Sequence, residues 1–402
     1  MNPTNQSTLF LPIVGTIFCR LVLNTARRFA YPFAPVLSRG LGVSLSAITS
    51  LIAINQVTSL LGALIGPMSD RLGYRKMMIA GMAMLGAGML AAAIFPIYIV
   101  VLAALFMAGL GKSIFDPAVQ AWVGSRVPYR RRARVMGIME TSWSASTLIG
   151  IPLVAILMDR HGWQSPFLVM GGLGCMGAVA LFFMIPNQPE SASRKESPAE
   201  YLGAYSRLVA NKPALGALGY VFFVSAANDN LFVVYGAWLE KSFGLGIVAL
   251  GLGTSLIGVA ELVGEGLTAA VSDRIGLKRA LVAGLSLSVM SYFALPFLEP
   301  SLAASLCGLA ILFFIFEFTM VTSLTLCTEI LPGFRATMMS GFFATAGIGR
   351  VIGALMGSAV WQAGGILATG CLSGVLTFLG MLCLVRGLKG WSRADARSIS
   401  SI

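Results

Sequence analysis

Apolar residues run almost unbroken along this chain, interrupted at short intervals by gaps rich in glycine, proline and arginine. Six such runs come first: Leu9 to Val36, Ile48 to Met68, Met77 to Phe95, Tyr98 to Val123, Val135 to Met158 and Phe167 to Ile185. Six more follow: Ala214 to Leu239, Val248 to Val271, Ala280 to Leu298, Leu302 to Cys327, Met338 to Trp361 and Ile366 to Val385. A helix needs about 20 residues to cross the hydrocarbon core of a bilayer, and each run is close to that length or beyond it. The pattern predicts an all-α membrane protein of twelve transmembrane helices in two related six-helix bundles. The one long polar interruption, Asn187 to Pro213, has the proline, serine and charged residues of a linker. The expected organisation is an N-terminal bundle over residues 1–186, a cytoplasmic linker over 187–213 and a C-terminal bundle over 214–402.

Composition agrees with membrane residence. The chain is 57% hydrophobic and 11% charged, whereas a soluble domain carries about 25% charged residues. The first run is interrupted by arginines and lacks a small-residue cleavage pattern, so it is expected to stay in the mature protein. A net charge of +12 would point to nucleic acid in a soluble protein, but its distribution points elsewhere. With a cytoplasmic N-terminus, 20 of the 28 Lys and Arg residues fall on cytoplasmic segments, the run Arg130 to Arg134 among them, and three (Arg39, Arg160, Lys241) fall outside. That asymmetry is the positive-inside rule. It predicts both termini in the cytoplasm, a bacterial inner-membrane location and contact with lipid headgroups rather than nucleic acid. Cysteine labelling from outside should therefore reach a single cysteine placed at Arg160 and not one at Arg131; labelling at Arg131 would overturn the orientation.

The six cysteines all fall inside apolar runs with no CxxC spacing, and His161 is the only histidine. They read as small buried hydrophobes, and no metal site or cofactor is expected. No nucleophile triad is visible, and no Gly-x-x-x-x-Gly-Lys-Ser/Thr loop of an ATP-driven pump occurs. The expected protein is not an enzyme.

The two halves repeat. Ser69-Asp70-Arg71-Leu72-Gly73-Tyr74-Arg75-Lys76 is echoed by Ser272-Asp273-Arg274-Ile275-Gly276-Leu277-Lys278-Arg279, and Pro128 to Gly137 aligns with Pro332 to Gly341. Related repeats with a substrate site near the bilayer midplane are a common construction of secondary transporters. With its preceding Gly66, the first of these segments resembles the signature loop of the major facilitator superfamily between helices 2 and 3. The second resembles its imperfect copy between helices 8 and 9. The resemblance covers the whole chain and implies a gating role for Gly66, Asp70, Arg71, Gly73, Arg75, Lys76, Asp273, Arg274 and Gly276. In helix 1, Pro32-Phe33-Ala34-Pro35 looks like an element of the twelve-helix drug:proton antiporters. The sequence departs from that group's helix 5 pattern, where Gly150-Ile151-Pro152 stands in place of adjacent Gly-Pro.

Charges within the apolar runs carry the candidate chemistry, since each costs at least about 2.5–3.5 kcal/mol to insert. On helix 1, Arg20, Asn24, Arg27 and Tyr31 fall within about 60° of one another at 3.6 residues per turn, with Arg28 at the rim. Two readings stand: a cationic wall that attracts an anionic substrate, or a structural network with Asp116, Asp229 or the glutamates of helix 8. Asn228, Asn230 and Arg350 complete the candidate substrate contacts. Lys112 and Asp116 lie one turn apart and can pair directly. Glu261 and Glu265 share a face of helix 8, and two acids so close cannot both ionise cheaply. These two, with Asp229, Glu317 and Asp116, are the candidate proton carriers. Glu140, Trp143, Asn55 and Gln56 are expected to line the cavity.

The expected function is secondary active transport of a small organic solute or drug by alternating access, as proton-coupled export. The alternatives are import of an organic anion by a proton symporter or facilitator, and a membrane sensor or scaffold that kept the fold. The expected partners are a small-molecule substrate, protons and membrane lipids, acting on a monomer.

Overall fold

The computed structural model describes residues 4–127, 129–186, 208, 210–331 and 335–391. Among them it contains helices and turns, with no strand. Two compact units emerge: Met1–Ser193 with Leu245–Gly258, and Arg194–Gly244 with Val259–Ile402. Ten helices among the described residues are long and apolar enough to cross a membrane, and the bent pair Ala34–Leu41 and Leu45–Ser59 supplies an eleventh span. The helical run Arg335–Gly387 breaks at Gly364 and Gly365. Its two legs counted separately bring the spans to the twelve expected.

The first span differs from its apolar run. The helix Thr4–Arg28 ends early, a turn takes over, and a second helix starts at Ala34. Pro32 and Pro35 supply no backbone N–H to continue the ladder. The second unit breaks at the corresponding place, between Lys212–Phe232 and Tyr235–Phe243, without a proline there. The break therefore belongs to the repeated architecture, and proline reinforces only one copy of it.

Glycines mark the repeat in the backbone. Gly42 and Gly244, Gly73 and Gly276, and Gly162 and Gly365 all have positive φ and stand 202 or 203 positions apart. Only glycine takes such angles without strain. Next to two of these glycines, a basic side chain reaches the end of its own unit's last span. Arg75 lies over the Phe182 ring at 4.5 Å and donates to the Phe182 carbonyl; Lys278 donates to the Leu388 carbonyl at 2.8 Å. A cation at a helix C-terminus is favoured by the axial dipole. Lys76 and Arg274 are exposed. The side chains of Asp70, Arg71, Arg130 to Arg134 and Asp273, the surroundings of Gly66 and most of the expected linker lie outside the described residues.

Large apolar side chains such as Phe183, Phe297, Met176 and Met290 are exposed; on a membrane protein they face lipid. The expectation that all six cysteines are buried is corrected on this surface. Cys175 and Cys307 are exposed, because lipid tails are as apolar as a helix interface and burial gains a thiol little.

Candidate functional site

The polar stripe of the first span is buried within the first unit. Arg20, Asn24, Arg27, Arg28 and the following Tyr31 are each at most 8% exposed. Their contacts come from the second, fourth and fifth spans. Arg20 Nε donates to Asp116 Oδ1 at 3.1 Å and its Nη2 to Glu140 Oε2 at 2.9 Å. Lys112 Nζ holds the other oxygen of Asp116 at 2.5 Å. Asn24 Nδ2 donates to Ser142 Oγ at 3.3 Å. Arg27 donates to Ser59 Oγ at 2.6 Å and to Gln56 Oε1, and the amide of Gln56 in turn donates to the Tyr31 hydroxyl. Arg28 lies 4.3 Å from the centroid of the Trp143 ring, and Lys112 Nζ 5.6 Å from the same ring.

Acids are few in this part of the chain. Residues 1–186 contain four acids: Asp70, Asp116, Glu140 and Asp159. Asp70 belongs to the signature loop, and Asp159 is exposed near the end of Ile151–His161. Asp116 and Glu140 thus remain as the acids of the first unit's apolar runs, which also hold Arg20, Arg27, Arg28 and Lys112. The acids are not equivalent. The Asp116 side chain is 20% exposed and Glu140 53%. A carboxylate that open inside the span Val135–His161 must face water rather than lipid. Gln120, also exposed, donates to its second oxygen at 3.4 Å.

Local structure supports this placement. The fifth span is not a plain helix: after Tyr129–Glu140 and Ser142–Ala145 it widens into a π turn, Ser146–Gly150, before Ile151–His161. Such turns are rare and collect at functional sites. A β-carbon added to Gly150 would meet Thr25 Oγ1 at 2.2 Å, so the glycine lets this span lie close against the first.

In the second unit, Arg350 Nε stands 3.9 Å from Asp229 Oδ2. Asn230 Nδ2 donates to Ser373 Oγ at 3.0 Å and to the Thr369 carbonyl at 3.3 Å, which ties the seventh span to the twelfth. Asn228 is buried, and its Oδ1 makes no hydrogen bond. Asn24 and Asn228, like Tyr31 and Tyr235, stand 204 positions apart, and all four are buried. On the helix Ile247–Ile275, Glu261 is buried and Glu265 half-buried. The helix bearing Glu317 packs against this one at Gly264, where an added β-carbon would sit 3.2 Å from the Glu317 Cβ. A cleft of about 340 Å³ lined by Lys241, Ser242, Glu299, Trp361 and Gln362 was not foreseen.

Three contacts were missed by sequence reasoning: Glu140 on Arg20, Gln56 on Arg27, and Trp143 beneath two cations. The signal available was the spacing of Glu140 and Trp143, three residues apart and so on one helical face. Nothing in the sequence said which helix that face meets.

The sequence profile described as Major Facilitator Superfamily matches residues 16–226 and 217–398. The chain is 23% identical over 379 residues to the uncharacterized MFS-type transporter YwfA of Bacillus subtilis (strain 168), covering 92% of this chain and 90% of the relative. It is 24% identical over 371 residues to a gallate transporter of Pseudomonas putida, covering 82% and 81%. Among solved structures, a bacterial homolog of the human lysosomal transporter Spinster superposes with a TM-score of 0.80 at 15% identity, over 98% of this chain and 99% of that one. That likeness shows the fold.

Proposed function

The chain belongs to the major facilitator superfamily, and from that premise we propose that it is a secondary carrier moving a small organic anion together with protons by alternating access. The observation that carries the reading is the gathering of four buried basic side chains, Arg20, Arg27, Arg28 and Lys112, in the first unit. Charges at membrane depth are expensive and mark substrate or ion pathways. Such a basic cluster favours a substrate that carries a carboxylate. The relative named a gallate transporter supports the same sign of cargo. Arg20, Arg27 and Arg28 supply the charge, with Asn24 and Tyr31 as polar neighbours; Asn228, Asn230 and Arg350 are the contacts proposed for the second unit. Protons are carried by acids drawn from Glu140, Asp229, Glu261, Glu265 and Glu317, while Asp116 stays between Arg20 and Lys112. The working form is a monomer in the bacterial inner membrane with both termini cytoplasmic.

A second reading, proton-driven drug export, rests on Pro32-Phe33-Ala34-Pro35 and needs no negative charge on the substrate. A sensor that kept the fold would bind without translocating. One experiment separates the three. The purified protein is reconstituted in liposomes with an imposed proton gradient and offered gallate, benzoate, succinate and the cation tetraphenylphosphonium. A carboxylate should accumulate and the cation should not; accumulation of the cation alone overturns the anion reading, and binding without accumulation supports the sensor. Arg27→Ala should then weaken carboxylate binding at least tenfold with little change in melting temperature. A charge pair 4 Å apart is worth about 4 kcal/mol at an effective dielectric of 20, and tenfold needs only about 1.4 kcal/mol. A fall in melting temperature with unchanged affinity would instead make Arg27 a structural residue.

A further inference from the structure

Arg20 holds two carboxylates, and only one of them is firmly kept. Asp116 has Arg20 Nε on one oxygen and Lys112 Nζ on the other. Glu140 touches Arg20 through the single nitrogen Nη2; its other oxygen has the long bond from Gln120, and half of the side chain is open. The third nitrogen, Arg20 Nη1, is buried and makes no hydrogen bond. A guanidinium binds a carboxylate best through two parallel N–H donors. On Arg20 the Nη1/Nη2 edge is such a fork, with one tooth vacant and the other on a displaceable acid.

We infer that Glu140 is the residue through which substrate and proton binding are coupled: an incoming carboxylate takes the Nη1/Nη2 edge of Arg20, and Glu140 leaves Nη2 and accepts a proton from the water it faces. The inference rests on the anion reading above. The step balances: one carboxylate replaces another on Arg20, one proton joins Glu140, and the charge of the unit is unchanged by loading. No uncompensated charge is buried, which would otherwise oppose binding. The groups facing Glu140 among the described residues are Arg20 from the first span and the neutral Gln120 from the fourth, with Asp116 and Lys112 behind Arg20. Asp116 stays clamped between its two cations and keeps Arg20 in place during the exchange.

The test is calorimetric binding of gallate and benzoate to the full-length protein in detergent, in two buffers of different ionisation enthalpy. That pair of measurements counts protons taken up per anion bound. The wild type should take up about one, and its affinity should fall about tenfold per pH unit once Glu140 is ionised in the free protein. Glu140→Gln imitates the protonated acid: it should still bind, with uptake near zero and a flat pH profile. Glu140→Asp should restore proton uptake with a weaker anchor to Arg20, which a purely structural role would not produce. One proton still taken up by Glu140→Gln, or uptake lost in Glu261→Gln instead, overturns the inference and leaves the anion reading standing. A wild type that binds neither carboxylate overturns both.

Discussion

Valine at Gly353 should leave little folded protein in detergent. Gly349, Gly353 and Gly357 follow one another at every fourth position of the eleventh span. A β-carbon on Gly349 would meet the Phe222 carbonyl oxygen at 2.3 Å, one on Gly353 the Ala226 carbonyl oxygen at 2.3 Å, and one on Gly357 the Asn230 carbonyl oxygen at 2.8 Å. The obstacle at Gly349 and Gly353 is backbone of the seventh span, which cannot rotate away like a side chain; at Gly357 the Val233 side chain stands closer still, at 2.3 Å. The helices would have to part by roughly an ångström, against a normal carbon contact of about 3.5–4.0 Å. Overpacking costs about 1–3 kcal/mol for an ordinary added methylene, and valine adds three carbons at the closest point of two spans. Gly172→Ala, where nothing lies within 4 Å, should be silent in the same assay. Size-exclusion profiles and melting curves of the two variants check this; a well-behaved Gly353→Val protein would mean that the seventh and eleventh spans do not pack as closely as described.

This stripe also shows how far sequence carried. Small residues spaced by four declare a close helix contact, but the spacing alone cannot distinguish a neighbour in the same chain from a second copy. Apolar run length placed the spans, because a bilayer imposes length on any crossing helix. It could not place the turn after Arg28, since the residues on both sides are equally apolar. The helix 1 stripe was legible because one helix supplies all its members with a 3.6-residue period. The network it joins was not, because Gln56, Asp116 and Glu140 belong to three other spans, and periodicity within one helix says nothing of rotation relative to the next. The asymmetry between Asp116 and Glu140 lies at that same level. Both are lone acids in apolar runs, and only the packing of neighbours makes one a clamped anchor and the other open to water.

Asp116 was expected from sequence to carry protons, and its surroundings favour a different result for Asp116→Asn. The side chain neutralises Lys112 and shares Arg20 with Glu140, while Lys112 and Arg20 are themselves nearly inaccessible. Removing the acid strands Lys112 as a buried cation one turn away and takes the Nε partner from Arg20. Breaking a buried pair at one end costs about 3–5 kcal/mol, whereas replacing both members by apolar groups of similar volume is often neutral. Asp116→Asn should therefore lower the melting temperature sharply. Lys112→Met should also lower it, by less, because Asp116 keeps Arg20. The double variant Lys112→Met with Asp116→Leu should recover part of the loss, falling short of the wild type by the bond missing at Arg20 Nε. Closed with Asp116→Leu as the matching single variant, the non-additivity of that cycle measures the Lys112–Asp116 interaction. The proton-carrier expectation predicts the opposite pattern: an unchanged melting temperature for Asp116→Asn, with proton-driven accumulation lost. Melting curves on the four proteins decide between anchor and carrier, because only an anchor makes the double variant more stable than Asp116→Asn alone.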